Sequence, residues 1–96
     1  MAGPESKAQT KVMKYLKSVG CKVIKTVVNT VAGHADMIIC YKGHYIEFEM
    51  KAPGKHATKL QLVKARETQE AGGHWFEIHN VEEAKEAIAK VEGNKC

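Results

Sequence analysis

Two acids and a lysine, Asp36, Glu49 and Lys51, are the residues of this chain best suited to chemistry. Glu49 and Lys51 stand in the segment Tyr45–Lys51, where apolar and polar residues alternate. In a strand that alternation sends Tyr45, Glu47, Glu49 and Lys51 to one face, and Ile46, Phe48 and Met50 to the other. Asp36 precedes the apolar run Met37–Tyr41. If the two runs pair as a hairpin about Lys42-Gly43-His44, Asp36 and Glu49 approach each other although they lie thirteen positions apart in the chain. Two carboxylates and a backbone carbonyl, for which Met50 is the candidate, make a hard oxygen site that prefers Mg²⁺ or Mn²⁺. A lysine beside it can orient or deprotonate water and balance negative charge developing on a phosphate. That set performs phosphodiester hydrolysis. The register is unambiguous, because the residue two after Glu47 is another acid, so Glu47 reads as an electrostatic or structural neighbour. The competing reading is an exposed strand that alternates charges on its solvent face, with Asp36 capping a turn. Spacing alone leaves both open.

The elements that must position these residues follow from periodicity. Pro4–Val19 is expected to be a helix, with Ala8, Val12, Tyr15, Leu16 and Val19 at helical spacing, Pro4 in the first turn and Gly20 at the stop. Cys21–Val28 reads as a strand and Asn29–Ala35 as a connection. After the proposed hairpin, Ala52-Pro53-Gly54-Lys55 breaks the ladder. A second helix is expected over Thr58–Ala71, N-capped by Thr58 and stopped by Gly72-Gly73. Trp75–His79 reads as a fourth strand, and a third helix starts at Asn80 with Glu83 three residues on, carrying Ala84, Ala87, Ile88 and Val91 inward. Residues 93–96 read as a frayed tail. The expected fold is a single α/β domain over 1–96, in the order α-β-β-β-α-β-α, with a central mixed sheet flanked by helices.

Bulk composition sets the class. Ninety-six residues leave room for one domain with a modest core, which a dimer interface would enlarge. The net charge of +4 suits contact with phosphates without establishing it. Three cysteines without CxxC spacing read as reduced thiols, and no apolar run reaches the length of a membrane span, so a cytoplasmic protein is expected.

The segments Gly33-His34-Ala35-Asp36, Tyr45–Gly54 and Leu60-Gln61 resemble the PD-(D/E)XK nuclease superfamily and, within it, the VRR-NUC (virus-type replication-repair nuclease) family. The likeness covers nearly the whole chain. It departs at Ala35, where the family usually has proline. The resemblance implies a restriction-endonuclease-like core in which Asp36 and Glu49 hold the metal and Lys51 assists the attacking water. It implies that Gln61 lines the active site, and that Glu5 matches an acid near the start of the first helix that reaches the metal or its waters. For Glu5 a favourable charge at a helix N-terminus is the alternative. The activity implied is that of a Mg²⁺- or Mn²⁺-dependent endodeoxyribonuclease acting on Holliday junctions or other branched DNA, as a homodimer, in a bacterial cell or a host cell if the source is viral. A non-catalytic DNA-binding module on the same fold is the alternative, and a related hydrolase of RNA is a third reading.

Lys55, His56 and Lys59 follow the active strand and are candidate DNA contacts, or an ordinary basic surface. The five histidines, His34, His44, His56, His74 and His79, show no convincing zinc-ligand spacing with one another or with Cys40. Trp75 and Phe76 read as core rather than as a base-stacking platform.

Overall fold

The computed structural model describes residues 4–26 and 35–93, with side chains from residue 7 onward. The expectations for Gly33, His34, the Glu5 side chain and the tail after Gly93 lie outside the described residues.

The first helix, α1 (Pro4–Ser18), buries Val12 and Leu16 completely. Its end is set by Gly20, whose φ of 91° is open to glycine and costly for other residues. The Gly20 amide donates to the Lys17 carbonyl and the Cys21 amide to the Leu16 carbonyl, the two bonds of a Schellman cap. The cap turns the chain outward, leaving Val19 exposed instead of on the apolar stripe expected for it.

Four strands follow the expected order: β1 (Lys22–Lys25), β2 (Met37–Tyr41), β3 (His44–Met50) and, after α2 (Lys59–Glu70), β4 (His74–Ile78). The helix α3 (Val81–Gly93) closes the domain. The sheet runs β1-β2-β3-β4. Its first two pairings are antiparallel, and β3 and β4 are parallel. The β2–β3 hairpin is tighter than the sequence suggested, because His44 pairs with Tyr41 and only Lys42 and Gly43 form the turn. Both have positive φ, 50° and 85°, the twist that a two-residue hairpin loop favours.

One face of the sheet carries Met37, Ile39, Ile46, Phe48, Met50 and Ile78, packed with Val12 and Leu16 of α1 and with Ala84, Ala87, Ile88 and Val91 of α3. The α3 residues are the four that its periodicity placed inward. Phe76 completes this core edge-on to Phe48, with ring centroids 6.0 Å apart. The other face carries Ile38, Glu47, Glu49 and Glu77, and α2 reaches over it.

Candidate active site

The sheet face that carries Glu47 and Glu49 differs from an ordinary solvated face. Glu47 is 8% exposed and Glu49 only 4%. Burying two acids in neighbouring same-face positions is costly unless each is held by hydrogen bonds or charge. Glu47 is fully engaged in structure: Tyr45 Oη donates to its Oε2 at 2.6 Å, and Thr68 Oγ1 of α2 donates to its Oε1 at 2.8 Å. This matches the neighbouring, structural part that the register assigned to it.

Burial first, and then the hydrogen bond to the Glu47 carboxylate, push the Tyr45 phenol up to about 12 from its ordinary 10.0. A raised acid pKa in the folded state means that the contribution of this contact to stability is complete below the unfolded value and fades as pH rises through the folded one. Spectrophotometric titration should therefore show a phenolate transition near pH 12 that is absent from Tyr45→Phe. A transition for Tyr45 at its ordinary 10.0 would mean that the contact does not exist in solution.

Glu49 sits one full strand repeat closer to the C-terminal end of β3. Gln61 Nε2 donates to its Oε2 at 2.9 Å, and Lys51 Nζ lies 3.8 Å from the same oxygen. Gln61 is delivered by local sequence. Thr58 caps α2 by accepting from the Gln61 amide, and the Gln61 side chain accepts from the Thr58 amide, a complete capping box. The side-chain oxygen of Gln61 thus serves the cap while its nitrogen serves Glu49.

Asp36 is held at the opposite strand. The β2–β3 register pairs Met37 with Phe48 and Ile38 with Glu47, so alternation places residue 36 on the Glu49 face. Its Oδ2 accepts from the Met50 amide at 2.8 Å, within the Glu49-Met50-Lys51 unit itself. Its backbone is clamped from both sides. The Asp36 amide donates to the Phe48 carbonyl, and its carbonyl accepts from the Thr26 amide and hydroxyl. Thr26 also donates to the Ala35 carbonyl at 2.7 Å. The sequence reading did not single out Thr26. Its only signal is its position at the end of β1, which matters once β1 is known to pair with β2. Met50 is therefore present at the site through its amide, while its side chain is buried in the core.

The structure gathers Lys51 and Gln61 on one Glu49 carboxylate oxygen and fastens the Asp36 carboxylate to the backbone between Glu49 and Lys51, where β3 ends. The donor set, two carboxylates with a lysine beside them, fits a hard divalent ion. Lys55 and Lys59 are exposed on the adjoining loop and first turn of α2. His56 is exposed too, but its Nδ1 contacts Glu77 Oε2 at 2.8 Å.

Sequence reasoning passed over Glu77, and considered His79 only as a zinc ligand without convincing spacing. The parallel register sets Glu77 beside Glu49, so Glu77-Ile78-His79 repeats, on the next strand, the acid-apolar-base pattern of Glu49-Met50-Lys51. That repetition was the available signal. Burial pushes the Glu77 carboxyl up, but the Ala57 amide, together with His56 and His79, outweighs it and holds the group below its ordinary value. The Lys55 carbonyl and then the Glu83 carboxylate hold the His79 imidazolium and raise its pKa.

The order of elements and the mixed sheet define a small single α/β domain. A solved structure of a VRR_NUC domain matches it with a TM-score of 0.78 at 18% identity, over 92% of this chain and 97% of that one. The chain has the VRR-NUC fold that its sequence motifs implied. No protein-family model matches the sequence, and no curated protein matches it. Among the described residues no helix is long and apolar enough to cross a membrane.

Proposed function

We propose that this chain is a divalent-metal-dependent DNA endonuclease whose active site is Asp36, Glu49, Lys51 and Gln61. The observation that carries the reading is the anchoring of the Asp36 carboxylate on the Met50 amide, inside the Glu49-x-Lys51 unit, on a VRR-NUC fold. Asp36 and Glu49, with the Met50 carbonyl, would hold Mg²⁺ or Mn²⁺, which supplies Lewis-acid polarisation of the phosphate and a lowered pKa for water. Gln61 fixes the orientation of the Glu49 carboxylate and so preorganises it. Lys51 orients the attacking water and offsets the charge that develops on the phosphate oxygens. The N-terminus of α2 has no acid in its first turn and opens at this end of the sheet, which favours an approaching phosphate. Lys55 and Lys59 extend that positive margin along the DNA backbone.

The substrate proposed is branched DNA, including four-way junctions, cut by a homodimer that presents two active sites to two strands. Leu60, Leu62 and Val63 on the outer side of α2 are each about half exposed, an apolar area that a second subunit would cover. Sedimentation that shows only monomer, with and without DNA, would remove the dimer.

The test is cleavage of linear, flap and four-way substrates in Mg²⁺ and Mn²⁺ by the natural chain and by Lys51→Ala. The variant is expected to bind DNA and cut roughly a hundredfold or more slowly, the scale of a lost general acid–base group. Equal cutting by both removes Lys51 from the mechanism. Binding without cutting, in either metal, identifies a DNA-binding module instead, in keeping with Ala35 where the family has proline.

A further inference from the structure

We propose that His56, Glu77 and His79, together with the Lys55 carbonyl, form a second metal site for a borderline divalent ion of the Zn²⁺ class, which staples the loop between β3 and α2 to the end of β4. The site does not depend on the nuclease reading.

One ligand atom from each of His56, Glu77 and His79 lies within 4.8 Å of the others. Their contacts run in a chain. His56 Nδ1 is 2.8 Å from Glu77 Oε2, that oxygen is 3.3 Å from His79 Nε2, and His79 Nε2 is 2.7 Å from the Lys55 carbonyl oxygen. A tetrahedral ion bonded at about 2.0–2.1 Å keeps its ligand atoms roughly 3.4 Å apart. The Glu77–His79 pair already has that spacing. The other two contacts, at 2.8 and 2.7 Å, need to open by about 0.6–0.7 Å, which the exposed loop bearing Lys55 and His56 permits. On binding, the ion takes the place of the proton that His79 Nε2 shares with the Lys55 carbonyl.

Three features distinguish this set from an ordinary surface ion pair. The first is its outer support. His79 Nδ1 contacts Glu83 Oε1 at 2.8 Å, the carboxylate–histidine arrangement that fixes a ligand's tautomer and aims the opposite nitrogen at a metal. The second is the preorganisation of Glu77, whose Oε1 accepts from the Ala57 amide at 2.7 Å, leaving Oε2 turned to both histidines. The third is donor chemistry. Two imidazoles, a carboxylate and a carbonyl suit zinc-class ions, whereas the Asp36 and Glu49 oxygens suit Mg²⁺. The ligands come from two places, the loop at 55–56 and the β4 end at 77–79, so a bound ion would tie down the segment that leads into the Thr58 cap and Gln61.

The experiment uses the full chain, stripped with chelator and titrated with Co²⁺ as a spectroscopic stand-in for Zn²⁺, with Zn²⁺ as competitor. The expected result is visible absorption of tetrahedral intensity that saturates at one ion per chain, is displaced by Zn²⁺, and is unchanged in Asp36→Asn and in Glu49→Gln. His56→Ala and His79→Gln should each abolish it, and Glu83→Gln should weaken binding roughly 10–100-fold while leaving the band shape intact. Circular dichroism of His56→Ala checks that the loss is not unfolding, since that side chain is 74% exposed. Absence of the band, its survival in the histidine variants, its loss in Asp36→Asn, or a thiolate charge-transfer band from cysteine would each overturn the site. Cleavage activity is not the readout, so a failure here leaves the endonuclease reading standing, and failure of that reading leaves this one.

Discussion

Glu49→Gln is expected to lower DNA cleavage by about a thousandfold or more, because loss of a metal-polarised centre removes several kcal/mol of transition-state stabilisation, at about 1.4 kcal/mol per tenfold in rate. The substitution is close to isosteric. A glutamine oxygen at this position still accepts from Gln61 Nε2, which donates to Glu49 Oε2 at 2.9 Å, so the fold and the α2 cap should persist. What disappears is the negative charge, in a residue only 4% exposed. Without metal the variant should melt no lower than the natural chain, and it should lack the Mg²⁺-dependent rise in Tm expected of the latter, since an ion that binds only the folded state raises stability by mass action. The two readouts together are diagnostic. Lost activity with a retained Mg²⁺-dependent rise in Tm would place the ion elsewhere. Retained activity would remove Glu49 from the site.

The second large effect concerns stability. Phe48→Ala should cost about 3–5 kcal/mol, the usual range for removing a fully buried phenylalanine. Phe48 is 0% exposed at the centre of β3, pairs with Met37 on one side and Phe76 on the other, and lies in the core shared by α1 and α3. For a domain of this size that loss is a large part of the whole folding free energy, and a fall in Tm of about 12 °C or more is expected. The effect reaches the site as well. The Phe48 carbonyl accepts from the Asp36 amide, so loosening of β3 moves the carboxylate that the Met50 amide holds. Thermal denaturation by circular dichroism measures the first consequence, and a weaker Mg²⁺-induced stabilisation in the surviving folded fraction measures the second. A Tm within a few degrees of the natural chain would mean that β3 is not packed as described.

The local features of this protein were legible in its residues, because each is encoded within a few positions. Met37–Tyr41 was bounded as a strand by its apolar run, and the structure keeps those bounds. Thr58 was readable as a cap from its type and place, and α2 begins just after it. The inward stripe of α3 followed from helical periodicity, and all four residues are buried. Alternation over Tyr45–Lys51 put Glu47, Glu49 and Lys51 on one face, and a two-residue repeat is a property of any strand. The family motifs pointed to the fold for the same reason, since they sit in short segments around Asp36 and Glu49.

What the segments do to one another was decided only by the tertiary structure. Alternation marked the Glu47–Glu49 face as polar and could not tell whether water or a helix would cover it. The crossover from β3 to β4 lays α2 over that face and turns two surface-like acids into buried, hydrogen-bonded ones. The parallel pairing of β3 with β4 sets Glu77 beside Glu49 and lets His56 meet Glu77 and His79 from a distant loop. Thr26 likewise gains its grip on Asp36 only through the β1–β2 ladder. Propensity and periodicity act over one or two turns of chain, whereas these contacts depend on which strands become neighbours, a choice made by burial of the whole core.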